Sequence, residues 1–115
     1  LNDEEIKNMP ADEYRSIFTN RFTSSPSDRL TPHWYKNSVI ALFNQLPEDK
    51  KRDVRYWIDC GDDDFLYKGN STLHILLRDL NIPHEYRVRN GGHSWEYWRT
   101  GITDALKFIG ESFHR

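Results

Sequence analysis

Asn90-Gly91-Gly92-His93-Ser94-Trp95 places a histidine on a glycine turn directly ahead of an amphipathic run, and Gly61-Asp62-Asp63-Asp64 places an acidic cluster upstream of it. An imidazole becomes a general base when a carboxylate holds one ring nitrogen and fixes the tautomer, leaving the other nitrogen to face a hydroxyl. The two segments therefore read as the last two members of a hydrolase triad. The nucleophile is not visible. No Gly-x-Ser-x-Gly turn occurs, and the serines at 16, 24, 25, 27, 38, 71, 94 and 112 all lack the strained strand-to-helix setting that presents one. Each segment has a plainer alternative, a satisfied loop histidine and a solvated acidic turn. Their order, spacing and placement on successive strand ends favour the chemistry.

Other residues that could act are weaker candidates. Cys60 directly precedes Gly61 at the end of a strand, too close to the acidic turn to be its nucleophile, and reads as a small buried side chain. Asp59, Asp62, Asp63 and Asp64 lack the glycine and terminal glutamate of a calcium loop. The five histidines show no paired zinc spacing. No metal site is expected.

The elements that must position these residues change character along the chain. Asn2 can cap a first turn containing Asp3, Glu4 and Glu5. Pro10 begins a second segment in which Tyr14, Ile17, Phe18 and Phe22 recur at helical spacing, until Ser24-Ser25-Pro26-Ser27-Asp28 breaks it. Thr31-Pro32 opens a third helix whose stripe is Val39, Leu42, Phe43 and Leu46. Lys50-Lys51-Arg52 reads as a solvated loop. From Asp53 the periodicity shortens: Val54 to Cys60 reads as a strand running into Gly61. Asn70 or Ser71 caps a helix carrying Leu73, Leu76, Leu77 and Leu80, closed by Asn81 and Pro83. His84 to Arg89 reads as a second strand. Ser94 caps a last helix whose stripe of Trp95, Trp98, Ile102, Leu106, Ile109 and Phe113 predicts a buried face.

Strand, helix, strand and helix with short joins make a βαβ unit, so the strands should be parallel and adjacent, with a right-handed crossover. In such sheets ligands and catalytic groups gather beyond the carboxyl ends of the strands, where both segments lie. Two parallel strands need neighbours to bury both faces. The missing strands are expected upstream of Leu1, or from another copy that exchanges strands.

Composition agrees: 37% of residues are hydrophobic against 30% charged, polar for a domain with a buried parallel sheet. A small helical domain with a solvated surface is the competing explanation. The 16 basic and 18 acidic side chains are well mixed, which leaves no basic stripe for nucleic acid. No apolar run approaches a membrane span and no leader pattern opens the chain, so no membrane partner is expected. The single cysteine excludes an internal disulfide framework and says nothing of compartment.

The run Trp57 to Tyr67 with Asp62-Asp63-Asp64, followed by Asn70, Ile82 to Val88 and Gly91-Gly92-His93-Ser94-Trp95-Glu96-Tyr97-Trp98, resembles the putative-esterase family of α/β-hydrolases, which includes feruloyl esterases, tributyrin esterases and S-formylglutathione hydrolases. The resemblance is specific over about residues 53 to 110. It implies an α/β fold represented by its C-terminal part: residues 1–52 as a helical excursion, and 53–115 as the last two strands and helices of an incomplete sheet. It also implies that Asp64 is the triad acid and His93 the base, with Asp63 as the fallback acid and Asp62 a rim or turn residue. In that family the order along the chain is nucleophile, acid, histidine, so the serine and oxyanion hole belong upstream. The implied function is a serine carboxylesterase acting on a small-molecule or carbohydrate-linked ester without a cofactor, inactive as this piece alone. Its N-terminal portion, or another copy, would complete the sheet. The alternatives are a carbohydrate-binding module, which needs exposed coplanar aromatics, and a non-catalytic oligomerising interaction domain.

Overall fold

The computed structural model describes residues 1–18 and 29–113. Phe22 and the breaker at Ser24 to Asp28 lie outside the described residues. The chain divides into two compact units, Leu1–Lys51 and Arg52–Arg115.

In the first unit, α1 (Asp3–Asn8) begins with a capping box: the Asn2 side chain accepts from Glu5 N at 2.9 Å, and Glu5 Oε1 accepts from Asn2 N at 3.1 Å. Next comes α2 (Ala11–Phe18). Ile6, Met9, Tyr14 and Trp34 form the core of this unit. The buried Arg29 donates to the carbonyls of Ile6 at 2.9 Å and Met9 at 2.6 Å, filling acceptors that the end of α1 leaves open. The single third helix expected from Pro32 onward is in fact two. Ser38, with ψ at 121°, leaves the helical region and its hydroxyl accepts from Ala41 N, so α3 (Pro32–Asn37) ends and α4 (Val39–Gln45) begins. Of the predicted stripe only Phe43 is buried; Val39, Leu42 and Leu46 are exposed. Lys50-Lys51-Arg52 is not a solvated loop throughout. Lys51 closes α5 (Glu48–Lys51) and is buried, its ammonium 3.0 Å from Glu48 Oε1 and 5.2 Å from the centre of the Phe43 ring.

The second unit runs β1 (Tyr56–Gly61), α6 (Tyr67–Asp79), β2 (His84–Arg89) and α7 (Trp95–Glu111). The strands are parallel, in register from Tyr56 opposite His84 to Gly61 opposite Arg89. Alternation sends Ile58, Cys60 and Tyr86 to one face and Trp57, Asp59 and Arg89 to the other. On the first face His74 of α6 stacks on Tyr86 at 4.1 Å, and Ser71 hydrogen-bonds its hydroxyl at 3.1 Å. On the second, Phe108 of α7 packs on Trp57 at 5.4 Å. One helix thus covers each face of a two-stranded sheet.

Two details depart from the sequence expectations. Helix α6 begins at Tyr67, so Asn70 and Ser71 are interior residues, and Asn70 donates to Leu66 O at 2.9 Å instead of capping. Its end matches the expectation: Asn81 takes the left-handed conformation (φ 55°), Ile82 N donates to Leu77 O and Asn81 N to Arg78 O, the Schellman arrangement. Helix α7 is capped by Ser94 as predicted, but it buries Tyr97 and Gly101 rather than the long apolar stripe. Trp95, Ile102, Leu106, Ile109 and Phe113 are exposed. Residues 97, 101 and 108 lie on the sheet-facing side of the helix, about a third of a turn from the stripe, so a second apolar face is left uncovered among the described residues.

Candidate active site

β1 ends at Gly61, and Gly61 to Asp64 form a turn closed by Asp64 N donating to Gly61 O at 3.1 Å. Glycine is required at 61 by close approach: an added Cβ would lie 2.2 Å from Gly91 O. Gly91 itself has φ of +140°, a backbone open to glycine, and this bend carries the chain from β2 towards His93. Three bonds stitch the two loops together. Asp62 N donates to Arg89 O at 3.0 Å, Asp63 N to Gly91 O at 2.9 Å, and Gly91 N to the Asp62 carboxylate at 3.0 Å.

This stitching brings Asp64 and His93 together. Asp64 Oδ1 accepts from Leu66 N at 2.9 Å, which fixes the carboxylate on its own turn. Its Oδ2 lies 3.0 Å from His93 Nδ1. The Asp64 side chain is 6% exposed and that of His93 42%. The carboxylate is therefore shielded while the imidazole reaches solvent. An ionised carboxylate only accepts, so Nδ1 donates and the lone pair resides on Nε2. That nitrogen has no hydrogen-bond partner among the described residues. Phe65 at 5.1 Å and the edge-on Trp98 at 4.8 Å flank the imidazole ring and limit its rotation. Chemically, the arrangement can accept a proton at Nε2 and stabilise the resulting imidazolium by the carboxylate behind it.

The neighbours are sorted by the same geometry. Asp64, not Asp63, carries the carboxylate held against His93. Asp62 does more than rim the site, because its carboxylate holds the backbone of the histidine turn. Cys60 is buried, and burial followed by the carboxylates of Asp64 and Asp59 pushes its thiol pKa up, the opposite of an activated nucleophile. Trp95 is 72% exposed rather than in the core, because α7 turns its other side to the sheet. It meets Trp98 at 88°, so the pair makes no flat stacking platform for a sugar. Among the described residues no three His, Cys, Asp or Glu side chains converge as metal ligands. A cleft of about 420 Å³ lined by Val54, Tyr56, Ile82, Pro83 and Phe108 opens at the opposite end of the strands and includes neither Asp64 nor His93.

One cluster escaped the sequence reading. Asp59 accepts from the Tyr97 hydroxyl and from Arg89 at 2.9 Å, all on the α7 face of the sheet. Burial, then the Asp59 carboxylate, pushes the Tyr97 phenol up to about 12. The signal was an acid within an otherwise apolar strand, which demands a partner on its own face.

No family model matches the chain. An acetyl esterase from Caldicellulosiruptor saccharolyticus is 28% identical over 98 residues, covering 85% of this chain and 34% of the esterase. Among solved structures, a ferulic acid esterase shares 39% identity with a TM-score of 0.59, over 64% of this chain and 30% of that one. The Staphylococcus aureus fluorophosphonate-binding serine hydrolase FphF overlays 94% of this chain on 40% of its own with a TM-score of 0.58, and at 20% identity shows the fold alone. The chain thus spans about a third of the length of these relatives. The chain is similar to a part of these esterases, and its two-stranded parallel sheet is consistent with an incomplete α/β-hydrolase fold.

Proposed function

We propose that Asp64 and His93 are the acid and base of a serine-type carboxylic ester hydrolase. The observation that carries this reading is the buried Asp64 carboxylate 3.0 Å from Nδ1 of a half-exposed His93. In the proposed reaction a serine hydroxyl oxygen attacks the ester carbonyl carbon while its proton passes to His93 Nε2. The tetrahedral intermediate collapses, and the imidazolium returns that proton to the departing alkoxide. Water then repeats the sequence on the acyl-enzyme, with Asp64 ionised throughout. The serine and the donors that stabilise the oxyanion are assigned to residues outside these 115. Three features support that assignment: the absence of a Gly-x-Ser-x-Gly turn, the one-third coverage of the relatives, and the uncovered apolar side of α7. The same coverage favours the rest of one protein over a second copy as the partner that completes the sheet. The substrate is a small acyl ester, free or carried on a carbohydrate, in keeping with the acetyl and ferulic acid esterases among the relatives.

The test uses a fluorophosphonate probe and p-nitrophenyl acetate. The 115-residue chain should neither label nor turn over ester. A protein extended upstream through a Gly-x-Ser-x-Gly turn should do both, and His93→Ala in it should abolish turnover. Undiminished activity in that variant would remove His93 from the mechanism.

A further inference from the structure

The turn that carries His93 is bracketed by two residues whose side chains converge on one carboxylate. Arg89 closes β2 just before the turn, and its guanidinium donates to Asp59 Oδ2 at 2.9 Å. Tyr97 lies in the first turn of α7 just after it, and its hydroxyl donates to Asp59 Oδ1. The Arg89 guanidinium also lies over the Tyr97 ring, 4.5 Å from its centre. The ring in turn supports the glycine bend: a Cβ on Gly91 would fall 2.8 Å from Tyr97 Cδ2. Gly101 leaves room for the assembly, since a Cβ there would lie 2.2 Å from the Arg89 guanidinium and 3.0 Å from Asp59 Oδ2. None of the three side chains hydrogen-bonds to His93 or Asp64.

We propose that Asp59, Arg89 and Tyr97 are positioning residues that tie both ends of the His93 turn to β1 and thereby hold the imidazole within reach of Asp64. The inference rests on reading Asp64 and His93 as the acid–base couple. Asp59 is well suited to the task because it sits on the strand that delivers Asp64, so both halves of the couple are referred to one rigid element. With the Tyr97 hydroxyl removed, Asp59 keeps Arg89, but the first turn of α7 loses its hydrogen bond to β1. The bend above it then loosens. His93 Nδ1 spends more time facing water, and its bias towards the Nδ1–H tautomer relaxes. A purely structural staple would change stability and leave that bias alone.

The test reads the tautomer directly in the 115-residue chain, by long-range proton–nitrogen correlation of ¹⁵N-labelled histidine at about pH 8.5, where an unperturbed imidazole is neutral. In the unsubstituted chain His93 should be mainly Nδ1–H, and Asp64→Ala should return it to the Nε2–H preference of a free imidazole. Tyr97→Phe should lower the ratio of Nδ1–H to Nε2–H by about fivefold, the equilibrium equivalent of one net hydrogen bond. Asp59→Asn should act in the same direction, and it decides the matter if Tyr97→Phe does not fold. A ratio that stays put while Tm falls overturns the positioning role and leaves the acid–base couple standing. If the unsubstituted chain itself lacks the Nδ1–H preference, the couple fails, and the positioning role falls with it.

Discussion

Replacing Gly61 by alanine probes the junction on which the site depends. The backbone at 61 is not left-handed, so the added methyl group acts through space alone. It would lie 2.2 Å from Gly91 O and 2.6 Å from Gly91 C, both backbone atoms. A relaxed contact needs about 3.5 Å, so the two loops must separate by about 1.3 Å. That displacement breaks the Asp63 N–Gly91 O bond at 2.9 Å and the Gly91 N–Asp62 carboxylate bond at 3.0 Å, and strains the Asp62 N–Arg89 O bond. At about 1 kcal/mol net for each bond the loss is roughly 2–3 kcal/mol. Reduced freedom of the unfolded chain returns about 0.4–1 kcal/mol. Gly61→Ala should therefore cost about 1–3 kcal/mol in urea unfolding followed by tryptophan fluorescence, with the midpoint shifted and the slope unchanged. It should also weaken the Nδ1–H signal of His93. A variant as stable as the parent, with that signal intact, would refute the claim that backbone contact between these loops sets the site.

Two other outcomes follow from the second unit. His74 donates from Nδ1 to His84 Nε2 at 2.7 Å, because His84 Nδ1 is committed to the Ile82 carbonyl at 2.8 Å; burial first, then the neighbouring His84 and Arg78, lower its pKa below 6.5. The folded state therefore binds fewer protons than the unfolded one just below 6.5, so this contribution to stability is complete above that pH and is lost as pH falls through the folded value. Urea midpoints measured down this range should decline less steeply for His74→Leu, and equal slopes would disprove the assignment. On α7, Leu106→Ser should change the stability of this chain by less than about 0.5 kcal/mol, as at a solvated site, whereas Leu77→Ala should cost about 2–5 kcal/mol. A large cost at Leu106 would mean that its face is already covered.

What the sequence disclosed was local. Asn2, Thr31 and Ser94 announced helix starts because a short side-chain oxygen ahead of an apolar run has one economical use, and Asn81 announced the end of α6 for a similar reason. The strand that delivers Asp64 and the strand that delivers His93 were legible from β-branched and aromatic residues ending at glycine. The start of α6 was not, because Leu66 offers no side-chain cap and Asp64, the residue that satisfies its backbone, is engaged in the site. The buried side of α7 was misread for a different reason. Periodicity reports every apolar face, including one with no partner among the described residues, and the sheet instead takes the face carrying Tyr97 and Gly101, where a phenol and a gap match Asp59 and Arg89. The break at Ser38 was missed although the polar run Lys36, Asn37 and Ser38 precedes the apolar stripe and a serine just ahead of Val39 is itself a cap signal.

The most direct measurement is the steady-state hydrolysis of p-nitrophenyl acetate by the upstream-extended protein and its Asp64→Asn variant. The amide keeps the shape of the carboxylate but neither fixes the Nδ1–H tautomer nor stabilises an imidazolium, so kcat should fall by about 10³–10⁴-fold with KM little changed. A kcat within about tenfold of the parent would contradict the acid–base assignment of Asp64 and His93.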